Sequence, residues 1–277
     1  MSIDLHAHST YSDGVLTPSE LVRRAASRGV RLLALTDHDE TGGLDEARSA
    51  AAACGIGFVG GVEISSTWSD RTVHVVGLGI DAQAAPLADG LARIRGTRAA
   101  RAEQIASRLD TAGIHGSLDG ALRHAGASGA IGRSHFARFL VERRYVRNAN
   151  EAFRLYLGAG RLAYVSPAWP AMPQAVEWIK RAGGCAVLAH PDRYRLPPRL
   201  LRALFADFAQ AGGDAVEISA GERFGSSPLV RLARAHGLTL SSGSDFHAPG
   251  GSVADLGDAP AIPEGLPAVW QRLRPGT

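Results

Sequence analysis

Residues 31–39 read Arg31-Leu32-Leu33-Ala34-Leu35-Thr36-Asp37-His38-Asp39. A short apolar run over 31–36 is the pattern of a strand buried on both faces, as in a parallel sheet. It ends in ionisable residues. The same form recurs along the chain. Residues 3–6 lead into His6-Ala7-His8, with Asp13 in the loop beyond, and residues 57–63 end at Glu63. His74 lies on a strand over 72–80, and residues 185–190 end in His190-Pro191. A strand over 238–242 leads into Ser244-Asp245-Phe246-His247, and residues 214–219 form one more strand.

Helices fit between these strands. Thr17-Pro18-Ser19-Glu20 opens the first, with Thr17 as N-cap, Pro18 at the first helical position and Glu20 completing a capping box. It stops at Gly29. Further helices cover 43–53, 172–182, 198–211 and 228–236, three of them closed by Gly55, Gly183-Gly184 and Gly212-Gly213. About seven strands alternating mostly with helices give a parallel α/β barrel. Residues 84–160 break the rhythm, with helices over 88–112, 118–125, 134–144 and 151–157 and no strand. The expected organisation is a barrel over 1–83 and 161–277 with a helical insertion over 84–160.

With 45% hydrophobic and 21% charged residues in 277, a large core is available and global disorder is excluded. A net charge of +3 does not by itself call for a nucleic-acid partner. The two cysteines, Cys54 and Cys185, have no ligand spacing, and no basic segment with an apolar run opens the chain. A reduced, cytoplasmic protein without a membrane span or an obligate protein partner is expected.

The chemistry lies in the strand ends. Of ten histidines, six stand with carboxylates at or near them. In extended chain, residues i and i+2 point the same way, so His6 and His8 reach one ion, as do Asp245 and His247. Ligands at the C-terminal ends of successive parallel strands meet at one face of a barrel. One HxH pair is a weak signal, but packing alone does not repeat the pattern at most strand ends. Imidazoles and carboxylates without thiolate suit manganese, iron or zinc. Glu63 is placed to bridge two ions.

Together, His6-Ala7-His8-Ser9, Ser12-Asp13-Gly14, Thr36-Asp37-His38-Asp39, Gly61-Val62-Glu63, His74, His190-Pro191 and Ser244-Asp245-Phe246-His247 resemble the PHP (polymerase and histidinol phosphatase) family. The resemblance implies a distorted (β/α)7 barrel with a helical insertion and a centre of three divalent ions, manganese being expected. It implies His6, His8, Glu63 and Asp245 on one ion, Glu63, His74 and His190 on a second, and Asp13, His38 and His247 on a third. Gly132-Arg133-Ser134-His135 and Ala189-His190-Pro191-Asp192-Arg193-Tyr194 resemble segments of the branch holding nucleoside 3′,5′-bisphosphate phosphatases and 5′→3′ exoribonucleases on short RNA.

The activity so implied is hydrolysis of the 3′-phosphate of a nucleoside 3′,5′-bisphosphate by a hydroxide bridging two ions. Short RNA is the alternative substrate. Histidinol phosphatase, an amidohydrolase and a metal-holding accessory domain without chemistry are the competing readings. Arg133, Ser134, His135 and Arg193 are expected at the phosphate. His135 and Asp37 are the expected catalytic residues, His135 as proton donor and Asp37 orienting a metal-bound histidine. Glu217 is read as structural, and His115, His124 and His236 as ordinary polar residues. Trp68, Trp169 and Tyr164 are read as packing, and the arginines between Arg93 and Arg108 as a solvated face.

Overall fold

A computed structural model describes residues 2–125, 130–218, 227–250 and 254–273. Seven strands lie side by side in chain order: β1 (Ser2–Asp4), β2 (Val30–Leu35), β3 (Gly57–Trp68), β4 (Arg71–Leu78), β5 (Cys185–Leu188), β6 (Ala215–Ile218) and β7 (Thr239–Ser242). Ser219, expected to end the sixth strand, lies outside the described residues. Bonding continues beyond the two edge strands. The Leu5 N–H donates to Ser242 O (2.9 Å), the Asp245 N–H donates to His6 O (2.9 Å), and Ala7 bridges Phe246. These bonds close the sheet into a barrel.

The sheet is mixed, which corrects the all-parallel expectation. β3 pairs antiparallel with β4, and β4 with β5, while the remaining pairs are parallel. β3 runs to Trp68, so only Ser69 and Asp70 separate it from β4, both at positive φ (44° and 60°). A two-residue hairpin turn cannot carry a crossover, so the chain reverses there.

The helices are α1 (Pro18–Ser27), α2 (Leu44–Cys54), α3 (Ala85–Thr111), α4 (Ser117–Ala125), α5 (Arg133–Glu142), α6 (Ala149–Ala152), α7 (Met172–Arg181), α8 (Pro198–Gln210) and α9 (Pro228–Ala235). α1 has the expected capping box, the Thr17 and Glu20 side chains each accepting the other's backbone N–H. The period of two along the strands sorts the core. Ile3, Leu32, Ala34, Val59, Val76 and Val187 fill the barrel. Leu33 and Leu35 pack outward with Leu21 and Ala47 of α1 and α2, and Val75 and Leu188 with Ile179 of α7.

The helical segment after β4 starts on the barrel and ends on a core of its own. Leu87, Leu91 and Ile94 of α3 pack with Trp178 of α7, and a Cβ at Gly90 would lie 2.6 Å from that indole. Further along, Ile105 and Leu109 join Phe136, Phe139 and Leu140 of α5 in a separate cluster that includes Val165. The helix expected over 151–157 divides. α6 is capped by the Asn148 side chain, and a π-helical turn, Phe153–Leu157, comes next. Among the described residues, no helix is long and apolar enough to cross a membrane.

Candidate metal centre

The middles of β3 and β4, together with the ends of the other strands and the loops beyond them, bring nine ionisable side chains to one end of the barrel, and Glu63 is their hub. Its Oε2 lies 3.2 Å from His6 Nε2, 3.3 Å from His8 Nε2 and 2.9 Å from His38 Nδ1. Its Oε1 lies 2.9 Å from both His74 Nδ1 and His190 Nε2. Asp245 Oδ1 is 3.0 Å from His8 Nε2, and Asp13 Oδ1 is 3.2 Å from His247 Nε2. Donor atoms fall within 4.8 Å of one another in three groups: His6, His8, Glu63 and Asp245; His38, Glu63 and His74; His8, Asp13, His38 and His247. His190 stands outside these groups but touches Glu63.

The donor set fits cations on an observation of the structure itself. Asp13 Oδ1, His38 Nδ1, Glu63 Oε2, His190 Nδ1 and Glu217 Oε1 are buried and make no aligned hydrogen bond, although Glu63 Oε2 and His38 Nδ1 lie 2.9 Å apart and Asp13 Oδ1 lies 3.2 Å from His247 Nε2. Buried polar atoms are ordinarily paired, so five orphans in one cluster point to partners that are not protein groups. Burial by itself would raise the pKa values of Asp13, Glu63 and Asp245, but the surrounding imidazoles outweigh it and hold all three well below the usual range. Burial would likewise depress His6 and His8. Glu217, Glu63 and Asp245 lift His6 well above its ordinary value, and the hydrogen bond to Asp245 with the adjacent Glu63 carboxylate lifts His8 to about 10.

Asp37 takes the Ser9 N–H (2.7 Å), the Ser9 hydroxyl (2.6 Å) and the Ser12 hydroxyl, fixing the loop after His8. Ser12 Oγ in turn lies 3.4 Å from His8 Nδ1, so Asp37 acts on a histidine through one intermediary. His135 is buried. Its Nδ1 accepts the Gly132 N–H (2.9 Å), which leaves the proton on Nε2, 3.0 Å from Ser12 O. Burial pushes its pKa down to about 4. With both nitrogens engaged to backbone, this ring ties α5 to the loop after β1 and has no lone pair or proton left for a substrate, a departure from the expected proton donor.

Arg193 is ion-paired with Asp245. Ser134 and Arg133 line a pocket that opens beside the centre, together with Asp13, His38, His74, Arg98 and Arg101. Trp169, Tyr164 and Phe153 complete its walls. Trp68 is elsewhere, buried with its Nε1–H on Asp207 (2.7 Å).

Several contributors escaped the sequence reading. Glu217 Oε2 lies 2.6 Å from His6 Nδ1, so it orients that ring; its signal was a lone carboxylate in the apolar strand Ala215-Val216-Glu217-Ile218. Tyr194 accepts the His74 N–H (2.8 Å) and donates to Ala189 O (2.9 Å), joining β4 to the turn after β5. Arg98 and Arg101 are buried, contrary to the solvated-face expectation. They fall at stripe positions between Ile94 and Ile105, which carries them inward with the apolar residues.

A cluster of imidazoles and carboxylates around a shared buried glutamate, at the mouth of an α/β barrel, is the donor set of a metal-dependent enzyme. The chain belongs to the PHP domain family, whose pattern matches residues 4–151, more than half of the 277. A 3′,5′-nucleoside bisphosphate phosphatase of Chromobacterium violaceum is 47% identical over 274 residues, 98% of this chain and 96% of that one. A 5′-3′ exoribonuclease of Haemophilus influenzae is 42% identical over 272 residues, 98% of each. A solved Chromobacterium violaceum structure, described as an amidohydrolase with bound sulfate and no metal, superposes with a TM-score of 0.90 at 46% identity, covering 98% of this chain and 95% of that one.

Proposed function

We propose that the chain is a metal-dependent phosphoesterase that removes the 3′-phosphate from nucleoside 3′,5′-bisphosphates. The observation that carries this reading is the convergence of five imidazoles on Glu63 beside a pocket walled by arginines. His6, His8, Glu63 and Asp245 would hold one ion, Glu63, His74 and His190 a second, and Asp13, His38 and His247 a third, with manganese the expected species. When bound, such ions supply a water ionised near neutral pH and positive charge for the phosphoryl oxygens. The chain's own groups set the geometry. Glu217 fixes the His6 ring, Asp37 and His135 fix the loop carrying His8 and Asp13, and Arg133 and Ser134 face the incoming phosphate. Arg193, paired with Asp245, stands at the edge of the centre. Water adds at phosphorus, the bond to the sugar oxygen breaks, and inorganic phosphate leaves.

A second reading, stepwise cleavage of short RNA from its 5′ end, is favoured by the 42% identity to the Haemophilus enzyme. A manganese-reconstituted assay of phosphate release and RNA laddering separates the cases. Release from adenosine 3′,5′-bisphosphate but not histidinol phosphate supports the first reading. Mononucleotide ladders without phosphate release support the second. No turnover of any phosphoester by metal-loaded protein sinks both.

The centre's electrostatics give two expected results. Glu217→Gln keeps the fold but weakens the hold on His6, and manganese affinity falls by about tenfold to a hundredfold, the usual cost of losing a partner behind a metal ligand; calorimetric titration measures it. The other result concerns pH. The folded-state pKa of His8, about 10, lies above its ordinary value of 6.5, and His6 is shifted the same way. Their protonation therefore stabilises metal-stripped protein fully below about pH 6.5, and that contribution is lost as pH rises through 10. Metal-loaded protein holds these rings deprotonated already. The melting temperature of EDTA-treated protein should fall between pH 7 and 10 more steeply than that of the manganese form. Parallel curves would contradict the assignment.

A further inference from the structure

β4 and β5 pair antiparallel in a register that sets Val75 opposite Leu188 and Val76 opposite Val187. Carried past the end of β5, the same register sets His74 opposite Ala189. In an antiparallel ladder every second pair exchanges two N–H···O bonds. At His74 and Ala189 one of the two is direct, the Ala189 N–H donating to His74 O (3.1 Å). The return bond runs through a side chain. The His74 N–H donates to the Tyr194 hydroxyl (2.8 Å), and that hydroxyl donates to Ala189 O (2.9 Å). A phenol from the helical turn Pro191–Tyr194 thus occupies a place in the ladder that two backbone groups would otherwise share.

The interruption falls beside two candidate donors. His74 Nδ1 and His190 Nε2 both approach one oxygen, Glu63 Oε1, each at 2.9 Å. Their rings stand edge to face with centroids 5.4 Å apart. One ring comes from β4 and the other from the residue after Ala189, so the spacing of these two stretches of backbone sets the spacing of the rings. A hydroxyl held between an N–H and a carbonyl keeps them further apart than the about 2.9 Å of a direct bond. Tyr194 also meets the second ring itself, its centroid 5.5 Å from that of His190 at an interplanar angle of 73°. His6 is steadied from behind by Glu217, whereas His190 Nδ1 is buried and makes no hydrogen bond. The His190 backbone, at a φ of 29°, lies in a region that residues other than glycine seldom occupy, and Tyr194 holds the far end of the turn that starts there.

We propose that Tyr194 is a positioning residue, a spacer that sets the separation of His74 from His190 and thereby the affinity for the cation assigned above to those two rings and Glu63. The hydroxyl fixes the distance between the two backbones, and the ring backs the His190 imidazole. This rests on the metal-centre reading and adds to it a residue outside the donor set. The remaining candidate donors follow β1, β2 and β7, away from this ladder, so the effect falls mainly on one cation.

The test uses Tyr194→Phe, which removes the hydroxyl and keeps the ring. Calorimetric titration of EDTA-treated protein with manganese should then show one class of site weakened by about tenfold to a hundredfold, the usual effect of losing a group behind a metal ligand, with the other sites binding as in wild type. Titration with cobalt gives a spectroscopic counterpart, since the visible absorption of that ion follows its coordination geometry and should change for the weakened class alone. Trp68→Phe is the control for a general loss of strand stability. It deletes a different bond on the same hairpin, from Trp68 Nε1 to Asp207 (2.7 Å), and should leave every class of site unchanged. Uniform weakening of all sites in Tyr194→Phe, the same pattern in Trp68→Phe, or wild-type binding in Tyr194→Phe overturns the spacer. If Tyr194→Phe fails to fold, linkage supplies a measurement on wild type. A bond that strengthens cation binding is strengthened by it in equal measure. The His74 amide, followed by hydrogen exchange and mass spectrometry, should therefore exchange at least tenfold more slowly in metal-loaded than in EDTA-treated protein, and equal exchange rates overturn the spacer too. Wild type that binds neither manganese nor cobalt overturns the metal-centre reading itself.

Discussion

Glu63→Gln lowers phosphate release by about a thousandfold or more and leaves the purified protein depleted of metal. The substitution is nearly isosteric, so packing around this buried position is kept. What changes is the hub. Five imidazole nitrogens lie within 3.3 Å of the two carboxylate oxygens, and an amide puts N–H donors against some of them. Two of the three donor groups include Glu63, so one replacement removes charge from both. Metal stabilisation of a phosphoryl transition state amounts to several kcal/mol, and each 1.36 kcal/mol is about tenfold in rate. Metal content by plasma mass spectrometry and phosphate release together check it. Wild-type metal stoichiometry with wild-type kcat would remove Glu63 from the centre.

Arg98→Ala destabilises the fold by about 3–5 kcal/mol, the usual cost of breaking a buried ion pair from one side. Asp39 sits fully buried at a positive φ of 54°. Its Oδ1 takes the Ser65 N–H (2.7 Å) and its Oδ2 takes both Arg98 donors. Truncating Arg98 strands that carboxylate and detaches α3 from the loop carrying His38. Against a typical total stability of about 5–15 kcal/mol, this is a large share. Urea unfolding measures it. Pairing the change with Asp39→Ala in a double-mutant cycle should show a coupling above about 1 kcal/mol, and additive effects would refute the link.

The sequence displayed the candidate donors because metal ligation requires particular residue types, which recur here in short motifs, and His6, His8, Glu63 and Asp245 meet in space as those motifs imply. Strand direction was hidden for a different reason. β3 and β4 read as separate runs because the turn at Ser69-Asp70 lacks the glycine that marks most two-residue hairpins. Glu217 and Arg101 were obscured by their settings. One looked like a polar interruption of a strand and the other like a member of a basic helix face. Only the tertiary packing, which puts Glu217 on His6 and turns Arg101 inward, gives either a chemical task.

The reversal of β4 also determines where the insertion begins. Since that strand runs away from the histidines, the chain leaves it at the barrel floor, where the Asp81 N–H bonds Ala182 O just before β5 begins. The 27 residues of α3 then rise about 40 Å at the helical 1.5 Å per residue, enough to climb the outer wall and deliver Arg98 and Arg101 to the rim. This mast carries the helical canopy, anchored at its foot by Trp178 and tied to the barrel again higher up, through Arg98 on Asp39 and His135 on Ser12. Changes to canopy residues away from those ties should leave the floor and the strands beneath undisturbed.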